Sequence, residues 1–258
     1  MKCEVCVLGG GPAGASLARR LAQMGRQVIL IEKHPFPRPH IGESLPPGIL
    51  PLLRTLGLQM QVERVGFLRP RRAVIRWGGE QRRQQEWEGE PGFQVDRGRF
   101  DQILLEAARQ AGVQIVQPAQ AERPVREAKS GWSIPIGQNG GRSEIQARFI
   151  ADATGRRALL GGRKIRFSAP TLALYAYWRQ SGLSGPETRV EAGCSEWFWG
   201  APLPDGSFNA AVFIDPRRLE SSASSGSAQD RLECFYRQLL QSSTLLQGCL
   251  QGTRMGAV

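Results

Sequence analysis

Cys3 to Glu32 reads CEVCVLGGGPAGASLARRLAQMGRQVILIE, and this stretch decides the fold. Cys3 to Leu8 is a short, mostly apolar run that ends at glycine, as a buried parallel strand does. Gly9, Gly11 and Gly14 follow in a G-x-G-x-x-G spacing. Pro12 falls in the first turn of a helix, where its missing N–H costs nothing. Ala13, Leu17, Leu21 and Met24 recur at helical steps and form the expected inward face, and Gly25 ends the helix. Gln27 to Ile31 reads as a second strand, closed by Glu32.

Each part has a physical job. Gly9 permits a tight turn, Gly11 lets the backbone approach a pyrophosphate, and Gly14 allows the helix to pack closely on the strand. The helix N-terminus at Pro12 and Ala13 offers free N–H groups and a partial positive charge to phosphates. Glu32 lies 18 residues after Gly14, at the place where an acid binds ribose hydroxyls, with Lys33 next to it. Strand, glycines, helix, strand and acid in that order predict an α/β dinucleotide-binding unit.

The rest of the composition narrows the class. The 258 residues allow one large domain or two interleaved ones. Hydrophobic residues make up 41% and charged residues 22%, which is globular rather than disordered or fibrous. No apolar run approaches the roughly 18 residues of a membrane span, so no membrane partner is expected. The net charge of +11 is almost entirely arginine, since Lys2, Lys33, Lys129 and Lys164 are the lysines. That favours anionic ligands, but the arginines are spread along the chain and no nucleic-acid arm is predicted. Lys2 and the apolar Val5 to Leu8 imitate a signal peptide, yet Glu4 and the glycines interrupt it, and a cytoplasmic protein is expected. The five cysteines follow no disulfide or zinc framework, so no metal is expected. Cys3 and Cys6 stand three apart in a strand, where they should face opposite sides as ordinary buried thiols.

After Lys33 comes a proline-rich loop, His34 to His40, and then Ile41-Gly42-Glu43-Ser44-Leu45-Pro46-Pro47. A helix from Gly48 to Leu56 and a β-rich insertion from Phe67 to Trp87 are expected next. GGGPAGASLA, LIEK and IGESLPP together resemble the FAD-dependent oxidoreductases that group flavin halogenases with related monooxygenases. Val95-Asp96-Arg97-Gly98-Arg99-Phe100-Asp101 is similar to that family's V-x-R-x-x-F-D segment, whose arginine lies beside the flavin. It opens a helix with a face at Phe100, Ile103, Leu104, Ala107 and Ala111. Ile150-Ala151-Asp152-Ala153-Thr154-Gly155 resembles the strand and turn that close the FAD domain. Trp197-Phe198-Trp199-Gly200-Ala201-Pro202 resembles the halogenase W-x-W-x-I-P segment.

The resemblance implies a Rossmann-like FAD-binding domain of the p-hydroxybenzoate hydroxylase (GR2) type with a β-rich substrate domain. It implies FAD as cofactor, reduced by NAD(P)H or by a partner flavin reductase. It adds Glu43, Ser44, Arg97, Asp152 and Gly155 to Gly9, Gly11, Pro12, Ala13, Gly14, Glu32 and Lys33 as cofactor contacts, and Trp197 and Trp199 as walls of the substrate pocket. Plainer readings stand beside these roles. Arg97 fits a solvated residue ahead of a helix, Asp152 a turn cap, and Glu43 and Ser44 turn chemistry. Trp197 and Trp199 share a strand face and fit core packing. His34 and His40, the two histidines, read as exposed; neither has a Ser or Cys partner, and no catalytic acid or base identifies itself.

The FAD domain is expected to be discontinuous, over 1–65 and 94–165. Within it, strands from Gly131 to Ile136 and from Arg142 to Ala151 would join through an Asn139-Gly140 turn. The β-rich domain would combine 66–93 with 166–215, using strands at Leu172 to Trp178, Glu196 to Gly200 and Phe208 to Ile214. Residues 216–258 would hold a serine-rich linker, Ser221 to Ser227, and a helix over Ala228 to Gln241 with Leu232, Phe235, Tyr236 and Leu239 on one face.

Two departures shape the functional expectation. A flavin halogenase needs a lysine in the insertion to guide the oxidised halide, and Phe67 to Trp87 contains no lysine; its candidates are Arg69, Arg71, Arg72 and Arg76. A guanidinium is a wide planar fork and a poor substitute for an ammonium. Full-length relatives also carry a later G-D segment that holds the flavin end; no Gly-Asp pair occurs here, so the chain is expected to be truncated before it. The expected function is monooxygenation of an electron-rich aromatic, free or bound to a carrier or peptide, through a flavin hydroperoxide. Flavin-dependent halogenation, or nucleotide binding without activity, is the alternative.

Overall fold

The computed structural model describes residues 1–77, 83–86, 88–127, 131–138, 140–162, 165, 167–183, 185–220 and 227–255. Asn139, Lys129, Lys164, residues 221–226 of the serine-rich linker, and residues 78–82 and 87 of the insertion lie outside them, as do the last three residues, 256–258. The chain divides into two compact units, Met1–Gly42 with Leu50–Val65 and Arg97–Lys164, and Glu43–Ile49 with Gly66–Asp96 and Ile165–Val258. Residues 43–49 and the C-terminal segment thus go with the second unit.

The first unit is built on a sheet whose centre is the strand Lys2–Leu8. It pairs in parallel with Val28–Ile31 on one side and with Gly141–Asp152 on the other. Gln114–Val116 extends the parallel part beyond Val28–Ile31. Gly131–Gln138 runs antiparallel to Gly141–Asp152 and adds Gln120–Ala121 and Val125–Glu127. The last four residues of the central strand, Val5 to Leu8, are apolar and buried without interruption, as in a strand covered on both faces. Cys6, Leu8, Ile29, Ile31, Ile134, Ile136 and Ile145 form one buried cluster on it.

The helix Pro12–Gln23 opens with Pro12 at its first position, and Gly25 follows its end with φ +77°. Its inward face is corrected by the structure. Gly14, Ala15 and Ala18 are buried, whereas Leu17 is 39% and Met24 59% exposed. A face of small residues lets the helix backbone lie against the sheet, which a leucine face would hold off. A built Cβ on Gly14 would stand 1.9 Å from the Gly9 carbonyl oxygen, so the approach is possible only with glycine.

Cys3 and Cys6 are corrected as well. The N–H groups of Glu4 and Val5 both donate to the Gln27 carbonyl, at 3.0 and 3.1 Å, so strict alternation is broken between the two cysteines. Both side chains reach the same core cluster. The hydrogen bond between the thiols, with burial adding to it, pushes Cys6 far above the usual thiol range.

The second unit contains a seven-stranded sheet in the order Thr253–Met255, Leu172–Arg179, Phe208–Ile214, Trp197–Pro202, Thr188–Ala192, Arg72–Arg76, Arg83–Glu86. All neighbours are antiparallel except Thr188–Ala192 with Arg72–Arg76. The helix Ala228–Gln241 starts in a Ser227–Asp230 capping box and covers one face of this sheet. Trp178, Phe198, Phe208, Val212, Tyr236 and Leu246 form the core between them. Tyr236 is fully buried and satisfied, accepting from Trp178 Nε1 at 3.2 Å and donating to the Ala210 carbonyl at 2.8 Å.

Candidate functional site

The first unit holds a cavity of about 490 Å³ at the carboxyl ends of its parallel strands, lined by Leu8 and Ile31, which end their strands, and by Ala153, the residue after Gly141–Asp152. Ligands of open α/β sheets bind at this end. Gly9, Gly11, Pro12, Ala13, Glu32, Lys33, Arg97 and Gly155 all line it. The structure therefore brings most of the expected cofactor contacts to one place.

The three glycines differ in what they do. Gly9 has φ +104°, and a Cβ there would meet the Ala153 carbonyl oxygen at 2.5 Å. Gly14 serves the helix–strand approach described above. Gly11, in extended conformation ahead of Pro12, faces the cavity: its built Cβ meets only Arg38 Nη2, at 3.5 Å. The space above Gly11 is thus open for a ligand, and the first N–H groups of the helix look into it.

Glu32 is 5% exposed and ties the turn together. Its Oε2 accepts from Gly10 N at 2.7 Å and its Oε1 from His34 N at 2.9 Å. Two backbone donors leave lone pairs on the carboxylate for ribose hydroxyls. It is the only acid lining the cavity among the described residues, against Lys33, Arg38, Arg97, Arg156 and Arg157. A basic cavity with one buried acid matches a dinucleotide: the acid suits the sugar, the cations suit the phosphates.

Arg97 is held on four sides. Its Nε and Nη2 donate to Asp101 at 3.0 and 3.1 Å, and its Nη1 donates to the carbonyls of Ile41 at 2.7 Å and Gly42 at 3.3 Å. Asp101 is fully buried, one helical turn along on Arg97–Gln110. The expected apolar face of that helix holds at Phe100, Leu104 and Ala107, but the buried acid in its midst was not foreseen.

Asp152 does not line the cavity. Its Oδ1 accepts from Thr154 N at 3.0 Å and Thr154 Oγ1 at 2.6 Å, and its Oδ2 from Leu160 N at 2.9 Å. Burial works to raise its pKa, but the donors from Thr154 and Leu160 outweigh it and hold the carboxyl below its usual range. Asp152 folds the turn that presents Thr154 and Gly155. His34, Arg38 and His40 also line the cavity; they sit in a proline-rich loop whose sequence carries no periodic signal.

Glu43 and Ser44 belong to the second unit. Glu43 is 3% exposed, and its carboxylate accepts from Tyr177 OH at 2.8 Å and from Asn209 Nδ2 at 3.2 and 3.3 Å. Ser44 Oγ donates to Gln94 Oε1 at 2.6 Å. The two residues open the small pairing of Ser44–Leu45 with Phe93–Gln94. Trp197 and Trp199 are half-buried on the sheet face opposite Phe198 and the core. Trp197 stacks on Phe213 with ring centroids 3.6 Å apart, and Trp77 lies tilted against it at 6.4 Å.

Comparison with known proteins identifies the family. The FAD binding domain family matches residues 2–167. The tryptophan 2-halogenase of Chondromyces crocatus is 33% identical over 95% of this chain and 48% of its own length. The 1H-pyrrole-2-carbonyl-[peptidyl-carrier protein] chlorinase of Pseudomonas fluorescens is 34% identical over 85% of this chain and 57% of its own. The myxobacterial chondrochloren halogenase CndH superposes with a TM-score of 0.88 at 27% identity, covering 99% of this chain and 62% of that one. The chain spans about half the length of the curated relatives it matches. It belongs to the FAD binding domain family and, within it, to the halogenase-like FAD-dependent oxidoreductases.

Proposed function

We propose that this chain serves flavin-dependent halogenation of an electron-rich aromatic substrate. The observation that carries the flavin part is the basic cavity over Gly11 with Glu32 buried at its edge. The choice of halogenation over hydroxylation, which the lysine-free insertion had favoured, rests on the relatives, which are named as halogenases. When bound and reduced, FAD supplies the activation of O₂. The chain's own residues bind and orient. Glu32 takes the adenosine ribose, Gly11 and the N-terminus of Pro12–Gln23 take the pyrophosphate, and Arg97 holds the Ile41–Gly42 backbone by its carbonyls. Trp197 and Trp199 offer flat apolar surface suited to an aromatic ring. A ring free in solution or tethered to a carrier protein both fit this role, and reduced flavin would come from NAD(P)H through a partner reductase.

Hydroxylation remains the second reading because of the insertion's arginines. Arg69 donates to the Pro91 carbonyl and lies over Phe93, Arg72 pairs with Glu86, and Arg76 pairs with Glu191. None offers an ammonium. The test is to supply the chain with FAD, a reductant, O₂, bromide and a panel of indoles, pyrroles and phenols, and to read products by mass spectrometry. A product with the bromine isotope doublet supports halogenation. An oxygenated product alone, with bromide present, assigns hydroxylation instead.

A further inference from the structure

We infer that the second unit's sheet, on the face opposite its core, carries a ring-binding site floored by Ala211 that selects aromatic substrates bearing a ring N–H or O–H donor. The inference rests on the halogenation reading above and deepens it, since it names the group on the substrate that is recognised and the residues that read it.

Strand register lays out the frame. Phe208, Ala210, Val212 and Ile214 face the core, so Asn209, Ala211 and Phe213 alternate onto the opposite face. Ala211 stands level with Tyr175 on one neighbouring strand and with Trp199 on the other. Asn209 and Phe213 lie two positions from it on its own strand, in opposite directions. A methyl group is thus ringed by three aromatic side chains and one amide. The backbones of Tyr175 and Trp199 are then about 10 Å apart and those of Asn209 and Phe213 about 14 Å apart, the scale of one flat ring or a fused pair. Aromatic walls around an apolar floor, with a single polar end, suit a small aromatic ligand.

The polar end says which ring. Asn209 Nδ2 donates to the buried Glu43 carboxylate at 3.2 and 3.3 Å, which fixes the orientation of the amide and turns Oδ1 away from Glu43. That Oδ1 is buried with no hydrogen-bond partner among the described residues, on a side chain that is 2% exposed. Tyr177 stands level with Asn209 and donates its own proton to Glu43 at 2.8 Å. Its oxygen is left as an acceptor, polarised by the carboxylate behind it. Burial, and then the bond to Glu43, push the phenol above its ordinary pKa, so the proton stays on Tyr177. Tyr175 meets the Tyr177 ring edge-on at 5.9 Å and steadies it. Two acceptors on adjacent strands, one of them buried and unpaired, call for a donor. An indole or pyrrole N–H or a phenol O–H supplies one, and a ring without such a group leaves Asn209 unpaired.

The test is ligand-observed NMR titration of the full chain with matched pairs, indole against 1-methylindole and phenol against methoxybenzene. Wild type should bind the donor-bearing member roughly tenfold more tightly, the worth of one good hydrogen bond. Tyr177→Phe should shrink that preference to about twofold, because one of the two acceptors is gone while the bulk of the methyl group acts as before. Ala211→Leu should weaken all four ligands roughly tenfold, because it fills the floor on which the ring lies. Equal affinities within both pairs in wild type overturn the inference, as does a preference that Tyr177→Phe leaves intact. Unchanged affinities in Ala211→Leu, or no binding of any of the four to wild type, overturn the site itself. Should Tyr177→Phe fail to fold by thermal melting, the matched pairs in wild type and Ala211→Leu decide. A parallel titration of wild type with FAD keeps the two readings apart. FAD binding without a ring preference sinks this inference alone, and a ring preference without FAD binding sinks the flavin reading while the ring site stands.

Discussion

Tyr177 donates its hydroxyl to the Glu43 carboxylate at 2.8 Å, joining two residues 134 positions apart. The bond fixes the start of the Glu43–Ile49 segment onto the strand Leu172–Arg179, and Asn209 on the neighbouring strand completes the grip from 3.2 Å. A nearly fully buried carboxylate persists only where such donors compensate it.

Tyr177→Phe should therefore lower stability by about 1.5–3 kcal/mol, the range for a hydrogen bond to a charged group. A pH effect accompanies it. Burial, and then the bond to Glu43, pushes the Tyr177 phenol above its ordinary value. A raised folded-state value means that the stabilisation is complete below the unfolded value of about 10 and drains away as pH rises beyond it. Urea midpoints taken at about pH 8 and about pH 11 should converge between wild type and variant. A gap that stays constant across that range removes Tyr177 as its cause.

Glu191 makes the opposite pH prediction. It is 3% exposed, and Ser243 Oγ, Thr244 Oγ1 and Leu245 N donate to it at 2.6, 2.8 and 3.0 Å. Burial works to raise its pKa, but these donors prevail and hold it below the usual carboxylate value. Its contribution is then present above the unfolded value of about 4.3 and lost as pH falls through the folded one. Glu191→Gln should cost about 1–3 kcal/mol at neutral pH and flatten the acid limb of a stability profile. An acid limb as steep as wild type would place the titrating group elsewhere.

What the sequence made legible follows from where its signals are local. The turn from Leu8 to Gly14 could be read because glycine spacing, Pro12 and the two apolar runs lie within one short stretch and agree with one another. The strand Phe208–Ile214 and the helix Ala228–Gln241 were readable to the residue from apolar runs and helical period. The buried acids were not. Asp101 looks like an ordinary polar residue in DQILLEAARQ until Arg97 and Arg38 are placed beside it, and Glu191 finds its donors about 50 residues away. The strand Thr188–Ala192 escaped for a related reason, since TRVEA owes its place to its neighbours Trp197–Pro202 and Arg72–Arg76 more than to its own alternation. The inward face of Pro12–Gln23 was misread because close packing favours small residues, and leucine is the stronger periodic signal.

Glu32→Gln should separate the two jobs of that residue. The amide oxygen can still accept from one of Gly10 and His34, but its NH₂ would face the other donor, so one of the bonds at 2.7 and 2.9 Å is lost. Stability should fall by about 1–3 kcal/mol. Adenosine-containing ligands should weaken further, because the negative acceptor for the ribose hydroxyls is gone. Titration with FAD and with FMN, which lacks the adenosine, distinguishes the outcomes: an equal loss for both would mean that Glu32 only shapes the turn.

Gly14 and Gly11 should fail in different ways, although they stand in one motif. A Cβ on Gly14 would overlap the Gly9 carbonyl oxygen at 1.9 Å and crowd Ala153 Cβ at 3.2 Å. Gly14→Ala must push the helix off the strand, and overpacking of this kind costs about 1–3 kcal/mol, seen as a lower melting temperature before any ligand is added. Gly11 has no backbone atom in the way of its Cβ and sits at φ −66°, which any side chain tolerates. Gly11→Val should melt within about 0.5 kcal/mol of wild type and yet bind FAD far more weakly, because its methyl groups occupy the ground over which the pyrophosphate lies. Wild-type affinity in Gly11→Val would mean that this glycine serves the turn alone and that the dinucleotide takes another path through the cavity.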